Sequence, residues 1–441
     1  MLKLDSENRA HATDLLRFID ASPSPWHVVA SVRERLVEHD FLEIDESQAW
    51  TLEPGVRYFV VRDGSSIIAF KNGEKASSDT GFRIIGAHTD SPGLRIKPNA
   101  LIQSDKIDRV GVEVYGSPIL ATFTDRDLSL AGRITLIDAS GNLDNRLIRI
   151  GKPVLRLPNL AIHMNRMVNE EGLRLHFQNE LPLILACGEK PAENKNRFLA
   201  LLGQGLDVDT DRIAAWDLVV FDFQQAALYG MEDEFFAGSR IDNLASCHAA
   251  LSALLDRNAL HGPATNVCAF FDHEEIGSQS QKGADGSFLP DVLERIAWSS
   301  NPDRETCKRA LARSFLISAD MAHAYQPNFA SAYEPEHPVF VNHGPAVKIN
   351  VNQRYTTESI SQSHFARLCA EAEVPWQKYS HRSNLPCGST IGPMTSARLG
   401  IRTVDAGCAM WAMHSIRESA GVLDHSYMTR VMKRFFSREI L

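Results

Sequence analysis

Short apolar runs that end abruptly in charged residues organise this chain. Val267-Cys268-Ala269-Phe270-Phe271 stops at Asp272-His273-Glu274-Glu275, followed at once by Ile276-Gly277-Ser278. Runs this short, bounded by turn residues, predict buried strands. The layout recurs three times: Phe82-Arg83-Ile84-Ile85 leads to His88 and Asp90, Phe315-Leu316-Ile317-Ser318 to Asp320 and His323, and Arg402-Thr403-Val404 to His414. Open α/β sheets place their ligands at strand ends. Residues 11–38 carry a helical pattern, broken where Pro23 and Pro25 forbid a continuous helix. Residues 57–71 alternate as strands do. After residue 237, strands near 266–271, 314–319 and 347–351 alternate with helices near 287–298, 358–372 and 392–398. Ser239 is placed to cap a helix running through Leu255, with Asp242 in its first turn. Residues 424–438 predict a closing amphipathic helix with Tyr427, Val431 and Phe435 on one face.

Between about 94 and 236 the pattern changes. Val110-Gly111-Val112-Glu113-Val114-Tyr115 and Leu128–Leu136 alternate like half-buried antiparallel strands, helix signal is thin, and 187–212 reads as a polar loop. The fold class that follows is α/β: an open mixed sheet flanked by helices, with a β-rich insertion. Residues 1–93 and 237–441 would form one domain and 94–236 the inserted one.

Composition narrows the function classes. The 441 residues are 44% hydrophobic and 23% charged, a balance typical of globular proteins. A net charge of −9 and a pI near 6.0 give no basic footprint for nucleic acid. No apolar run approaches the roughly 20 residues of a membrane span. The N-terminus lacks the order of a signal peptide. Seven scattered cysteines without a C-x-x-C pair read as reduced thiols, so the expected location is cytoplasmic.

Two adjacent glutamates at a strand end are hard to explain by packing, because a buried carboxylate must be paired or bind metal. His88, Asp242, Glu275, Asp320 and His414 form the candidate ligand set. Each alone has an ordinary structural explanation, such as a helix-end charge or a turn residue. Together at matching strand ends they favour a polynuclear site. Two imidazoles and three carboxylates suit zinc first, with cobalt or manganese as alternatives. Asp242 is the candidate bridge, leaving one histidine and one carboxylate for each of two divalent ions. A pair roughly 3.5–4 Å apart can polarise a carbonyl and hold hydroxide at neutral pH. Glu274 would be the general base, passing the proton of the attacking water to the leaving amine. Asp90 would accept the other ring N–H of His88. His273 falls outside the set, since Gly277 stands where H-E-x-x-H requires its second histidine.

The chain resembles the aspartyl aminopeptidases through blocks that span most of its length. These include Phe18–Pro25, Gly86-Ala87-His88-Thr89-Asp90-Ser91-Pro92, Asp125–Arg133, Leu160-Ala161-Ile162-His163 and Ser239–Leu244. His273–Ser278, Ser318–Ala324, Lys348–Tyr355, Cys387–Pro393 and Met413–Glu418 complete the series. The resemblance implies removal of N-terminal Asp or Glu from peptides, and the same metal ligands and base. It implies substrate contacts from His163, His323, Lys348 and Tyr355. It also implies a homododecamer assembled through the inserted domain, with His163 reaching a neighbouring subunit's site. Gly116–Thr124 lacks the second glycine and the tryptophan usual before the Asp-Arg-Asp block, and Tyr325-Gln326 stands where Val-His is usual. These departures bear on the pocket and the subunit contact, and are expected to leave the metals untouched.

Lys348, on an otherwise apolar strand, is the candidate partner for an acidic side chain; the alternative is a surface lysine with its head in water. Rival functions are another dinuclear-metal peptidase or deacylase, or an inactive self-assembling scaffold. The intact Glu274 argues against the scaffold.

Overall fold

The computed structural model describes residues 4–104, 106–187, 196–260, 262–300 and 303–438. Its largest sheet has nine strands, and the four in its middle are parallel neighbours: Thr265–Phe271, Phe82–His88, Phe315–Ala319 and Arg402–Gly407. These are the four runs whose ends carry the charged residues. Register puts Phe271 opposite His88 and Ala319 opposite Ala406, so the charged loops emerge along one edge. Ser66–Lys71 on one side and Ala346–Ile349 on the other join these four antiparallel, which makes the sheet mixed.

Alternation along the buried strands feeds two cores. On one face Ile85, Cys268, Phe270, Ile317 and Val404 pack against helices Ser6–Ala21, Pro25–Glu38, Ile241–Leu255, Ser359–Glu371 and Val422–Phe436. On the other, Ile84, Val267, Phe271 and Leu316 meet helices Phe288–Ser300 and Arg304–Ala312. Helices on both faces are what force the near-continuous apolar runs in the sequence.

A six-stranded antiparallel sheet is built from strands between Gly93 and Asp222, around a core that includes Leu94, Val112, Leu130, Ile134 and Leu218. A third, five-stranded sheet joins Ala227–Tyr229 and Phe235–Gly238 to Glu418–Gly421, Ala409–Trp411 and Ala322–His323.

Two expectations fail locally. The polar loop expected over 187–212 contains a helix, Arg197–Leu206, capped by Asn196 and burying Phe198 and Leu202 (188–195 lie outside the described residues). Its apolar run Phe198-Leu199-Ala200-Leu201-Leu202 is short and follows polar residues. Ser239 does not cap the helix Ile241–Leu255. Arg240 precedes that helix in the left-handed region with no side-chain cap, and Asp242 and Asn243 depart from helical geometry. The Asp242 N–H donates to Glu418 Oε2 at 3.0 Å, which places its carboxylate by a tertiary bond instead of a helical turn.

Candidate metal centre

His88 ends its strand fully buried, and its ring is aimed by the loop that follows. Nδ1 lies 3.0 Å from the Asp90 carbonyl oxygen and 3.5 Å from Asp90 Oδ1. The closer acceptor is therefore the main chain of Asp90, where the sequence suggested its carboxylate. That carboxylate instead accepts from the N–H groups of Glu274 and Glu275, each at 3.1 Å, and from the Tyr115 hydroxyl at 2.7 Å. Asp90 thus fixes both His88 and the two glutamates. His88 Nε2 then faces Asp242 Oδ1 at 3.3 Å, Asp320 Oδ1 at 3.9 Å and Glu274 Oε2 at 3.9 Å.

The other half of the cluster centres on His414. Its Nε2 lies 3.5 Å from Asp242 Oδ2 and 3.5 Å from Glu275 Oε2. Asp242 therefore turns one oxygen to each imidazole. His414 has a φ of 68°, which a non-glycine residue holds only when its surroundings enforce it. Here the Glu418 carboxylate accepts the His414 N–H at 2.7 Å as well as that of Asp242. The His414 Nδ1–H points to the Ser117 carbonyl at 3.1 Å. The stretch Gly116–Thr124 thus touches a candidate ligand through a main-chain carbonyl, whatever side chains it carries. Backbone carbonyls carry no sequence signature, so this contact was invisible. Glu418 closed a quoted block and Tyr115 an alternating strand, but nothing in the pattern marked either one's role.

Electrostatics follow from crowding acid groups in a dry place. Burial, then neighbouring carboxylates, push Glu274 up to about 8 and Glu275 well above the usual range. Burial and Asp242 push Glu418 to about 8. Burial disfavours charge on the rings, yet the carboxylates outweigh it and raise His88 well above its ordinary value and His414 to about 9. Asp242 Oδ1 and Glu275 Oε1 are buried without a hydrogen-bond donor among the described residues. An orphaned buried carboxylate oxygen is costly unless a cation is shared with it. One ligand atom each from His88, Asp242 and Glu275 lies within 4.8 Å of the others. This donor set fits divalent zinc.

The remaining predicted residues divide. Lys348 is 2% exposed, so the reading of a surface lysine with its head in water is wrong. Its Nζ donates to the Met321 carbonyl at 2.9 Å, lies 3.4 Å from Asp320 Oδ2 and stands over the Tyr355 ring at 5.2 Å. His323 is held at about 4 by burial and the nearby Lys348. Beside it opens a cavity of about 230 Å³ lined by His323, Tyr379, His381, Arg382, Trp411 and Met413. His163 sits on an exposed turn with exposed Leu160, Ile162 and Met164 around it, apart from the cluster. His273 turns its Nδ1 to Ser280 Oγ at 2.9 Å.

Carboxylates and imidazoles gathered at the ends of parallel strands define a metal-dependent hydrolase. The comparisons narrow this further. The model of the family described as Aminopeptidase I zinc metalloprotease (M18) matches residues 18–436, and the chain belongs to that family. It is 45% identical over 427 residues to the probable M18 family aminopeptidase 2 of Pseudomonas paraeruginosa, covering 96% of this chain and 97% of that one. A chain of the Ape4–Nbr1 complex superposes with a TM-score of 0.95 at 37% identity, covering 99% of this chain and 88% of that one. The S. cerevisiae mApe1 dodecamer matches with a TM-score of 0.86 at 25% identity over 98% of each chain. The protein is thus a zinc aminopeptidase of the M18 family.

Proposed function

We propose that this aminopeptidase removes acidic N-terminal residues from peptides, using two divalent ions, zinc in the first instance. His88 and Asp320 would hold one ion, His414 and Glu275 the other, and Asp242 both. Bound there, the ions supply a Lewis acid for the scissile carbonyl and lower the pKa of the attacking water. Glu274 faces the same space, takes the proton from that water and returns it to the leaving amine. Asp90 and Glu418 act as positioning residues for the ligands. The observation that carries this reading is the division of the Asp242 carboxylate between two imidazoles, 3.3 and 3.5 Å away.

Preference for acidic residues rests on the cations grouped beside the carboxylates. An acidic side chain must recover lost hydration from a partner. Lys348, with Tyr355 and His323 around it, and Arg382 in the adjoining cavity offer that partner. The test is release from Asp-, Glu- and Ala-anilides after chelation and metal add-back. Lys348→Met should weaken cleavage of the Asp substrate by roughly 10–100-fold more than that of the Ala substrate. Equal loss on both would remove the pairing.

We further propose that residues 94–236 form a dimerisation domain within a cytoplasmic homododecamer, with His163 serving a neighbouring subunit. The exposed Leu160, Ile162, Met164 and Met167 support this, since such a cluster marks an interaction surface. Light scattering should give about twelve times the mass of one chain; a monomer that is fully active would contradict it.

A further inference from the structure

A second group of nitrogen donors lies on the helical side of the sheet. His11 on Ser6–Ala21, His248 on Ile241–Leu255 and His425 on Val422–Phe436 meet where the three helices pack. One ring nitrogen from each lies within 4.8 Å of the other two. His248 and His425 are 0% and 1% exposed, while His11 is half-buried and opens the group toward solvent. The rings of His11 and His425 stack at 4.6 Å.

The hydrogen bonds around the group fix which atoms are free to ligate. Arg35 forks onto both oxygens of Asp14 at 2.8 and 3.0 Å, which holds that carboxylate ionised. Asp14 Oδ2 lies 2.8 Å from His248 Nε2, so that nitrogen carries the proton. His248 Nδ1 is left with a lone pair, 2.9 Å from His425 Nε2. A carboxylate behind an imidazole is how ligating histidines are oriented and made more basic. His425 Nδ1 is buried with no hydrogen-bond partner among the described residues. Burial first, and the neighbouring rings second, keep His11 down at about 4. Burial likewise lowers His248, and lowers His425 well below its ordinary value. Neutral imidazole is the form that binds metal. Apolar side chains would fill this helix junction without any desolvation cost, so packing alone does not account for three imidazoles and an ionised acid.

We propose that His11, His248 and His425 form a second metal site, structural in role, for an imidazole-preferring divalent transition ion such as zinc, cobalt or nickel. Asp14 orients His248, and solvent would complete the coordination on the His11 side. Two nitrogens on one tetrahedral zinc stand roughly 3.3 Å apart at bonds of about 2.0–2.1 Å. The His248–His425 pair at 2.9 Å needs to open by only a few tenths of an ångström. Binding at His425 Nε2 moves the proton of that nitrogen to the ring's own Nδ1, so each imidazole stays neutral. The ion would tie the first and last helices to the helix whose first turn holds Asp242.

The test compares the full-length enzyme with His11→Gln and His11→Cys after chelation and re-equilibration with Co²⁺ or Zn²⁺. His11→Gln keeps a partner for Thr429, which lies 3.0 Å from His11 Nε2. It should carry one equivalent less metal per chain than the wild type and lose part of the metal-dependent rise in Tm. His11→Cys should restore the lost equivalent and add a thiolate-to-cobalt absorption. The difference between variants is independent of how many ions the carboxylate cluster holds or how it reacts. Equal metal content in the wild type and His11→Gln, or a Cys variant without the cobalt band, would overturn the assignment.

Discussion

Asp242 shows how a single side chain can depend on its neighbours more than on its own helix. Its N–H is held by Glu418 and its two oxygens face two different histidines. Among the described residues its neighbour Glu274 has its main chain fixed, the N–H by Asp90 and the carbonyl by the Gly277 N–H, while its carboxylate has no comparable tether. Chemistry and metal holding should therefore separate by mutation. Glu274→Gln should cut turnover on the order of 10²–10⁴-fold while metal content measured by mass spectrometry stays at the wild-type level. Glu418→Gln should do the reverse first, weakening metal affinity roughly 10–100-fold, with activity largely recovered at excess zinc. Unchanged turnover in the first variant removes Glu274 as the base. Unchanged affinity in the second removes Glu418 as a positioning residue.

Elements explain which parts of this site could be read from sequence. The four central strands were legible because burial on both faces writes continuous apolar runs, and the charged residues at their ends stand out against them. The helix Arg197–Leu206 was missed because polar residues flank its short apolar run Phe198–Leu202, whose spacing buries Phe198 and Leu202. Bonds running to the cluster from Tyr115, at the end of its strand, and from the loop after it were hidden for a different reason. Tyr115 to Asp90 and the Ser117 carbonyl to His414 join positions 25 and 297 residues apart, and no periodicity spans such a distance.

The helix junction at His11, His248 and His425 also has a consequence for pH. All three rings have pKa values below the ordinary value near 6.5 in the folded chain. The unfolded chain takes up those protons first as pH falls. The stability linked to them is thus present above about 6.5 and is lost as pH drops toward about 4. Burial decides the sign: Asp14 raises the pKa of His11 and His248, Arg35 lowers both and Lys433 lowers His11, while His425 is lowered by burial and by the other two rings. In chelated protein, the Tm of the wild type should fall more steeply between pH 7 and 5 than that of His11→Gln. Parallel slopes would refute the linkage.

For the molecule as a whole, the arrangement has one centre. Strand ends contribute His88, Glu274, Glu275 and Asp320, a kinked helix start contributes Asp242, and the loop after the last parallel strand contributes His414. Apart from the adjacent Glu274 and Glu275, each comes from a different stretch of chain, and their convergence accounts for both the orphaned oxygens and the raised carboxyl groups. Tyr115 at the end of the strand Ile107–Tyr115 and Ser117 in the loop after it also reach the site within the same subunit. Anomalous diffraction at the zinc edge from crystals of the loaded enzyme would locate the ions. Two peaks roughly 3.5–4 Å apart are expected, one between His88, Asp242 and Asp320 and one between His414, Asp242 and Glu275. A single peak within that cluster, or none, would contradict that arrangement.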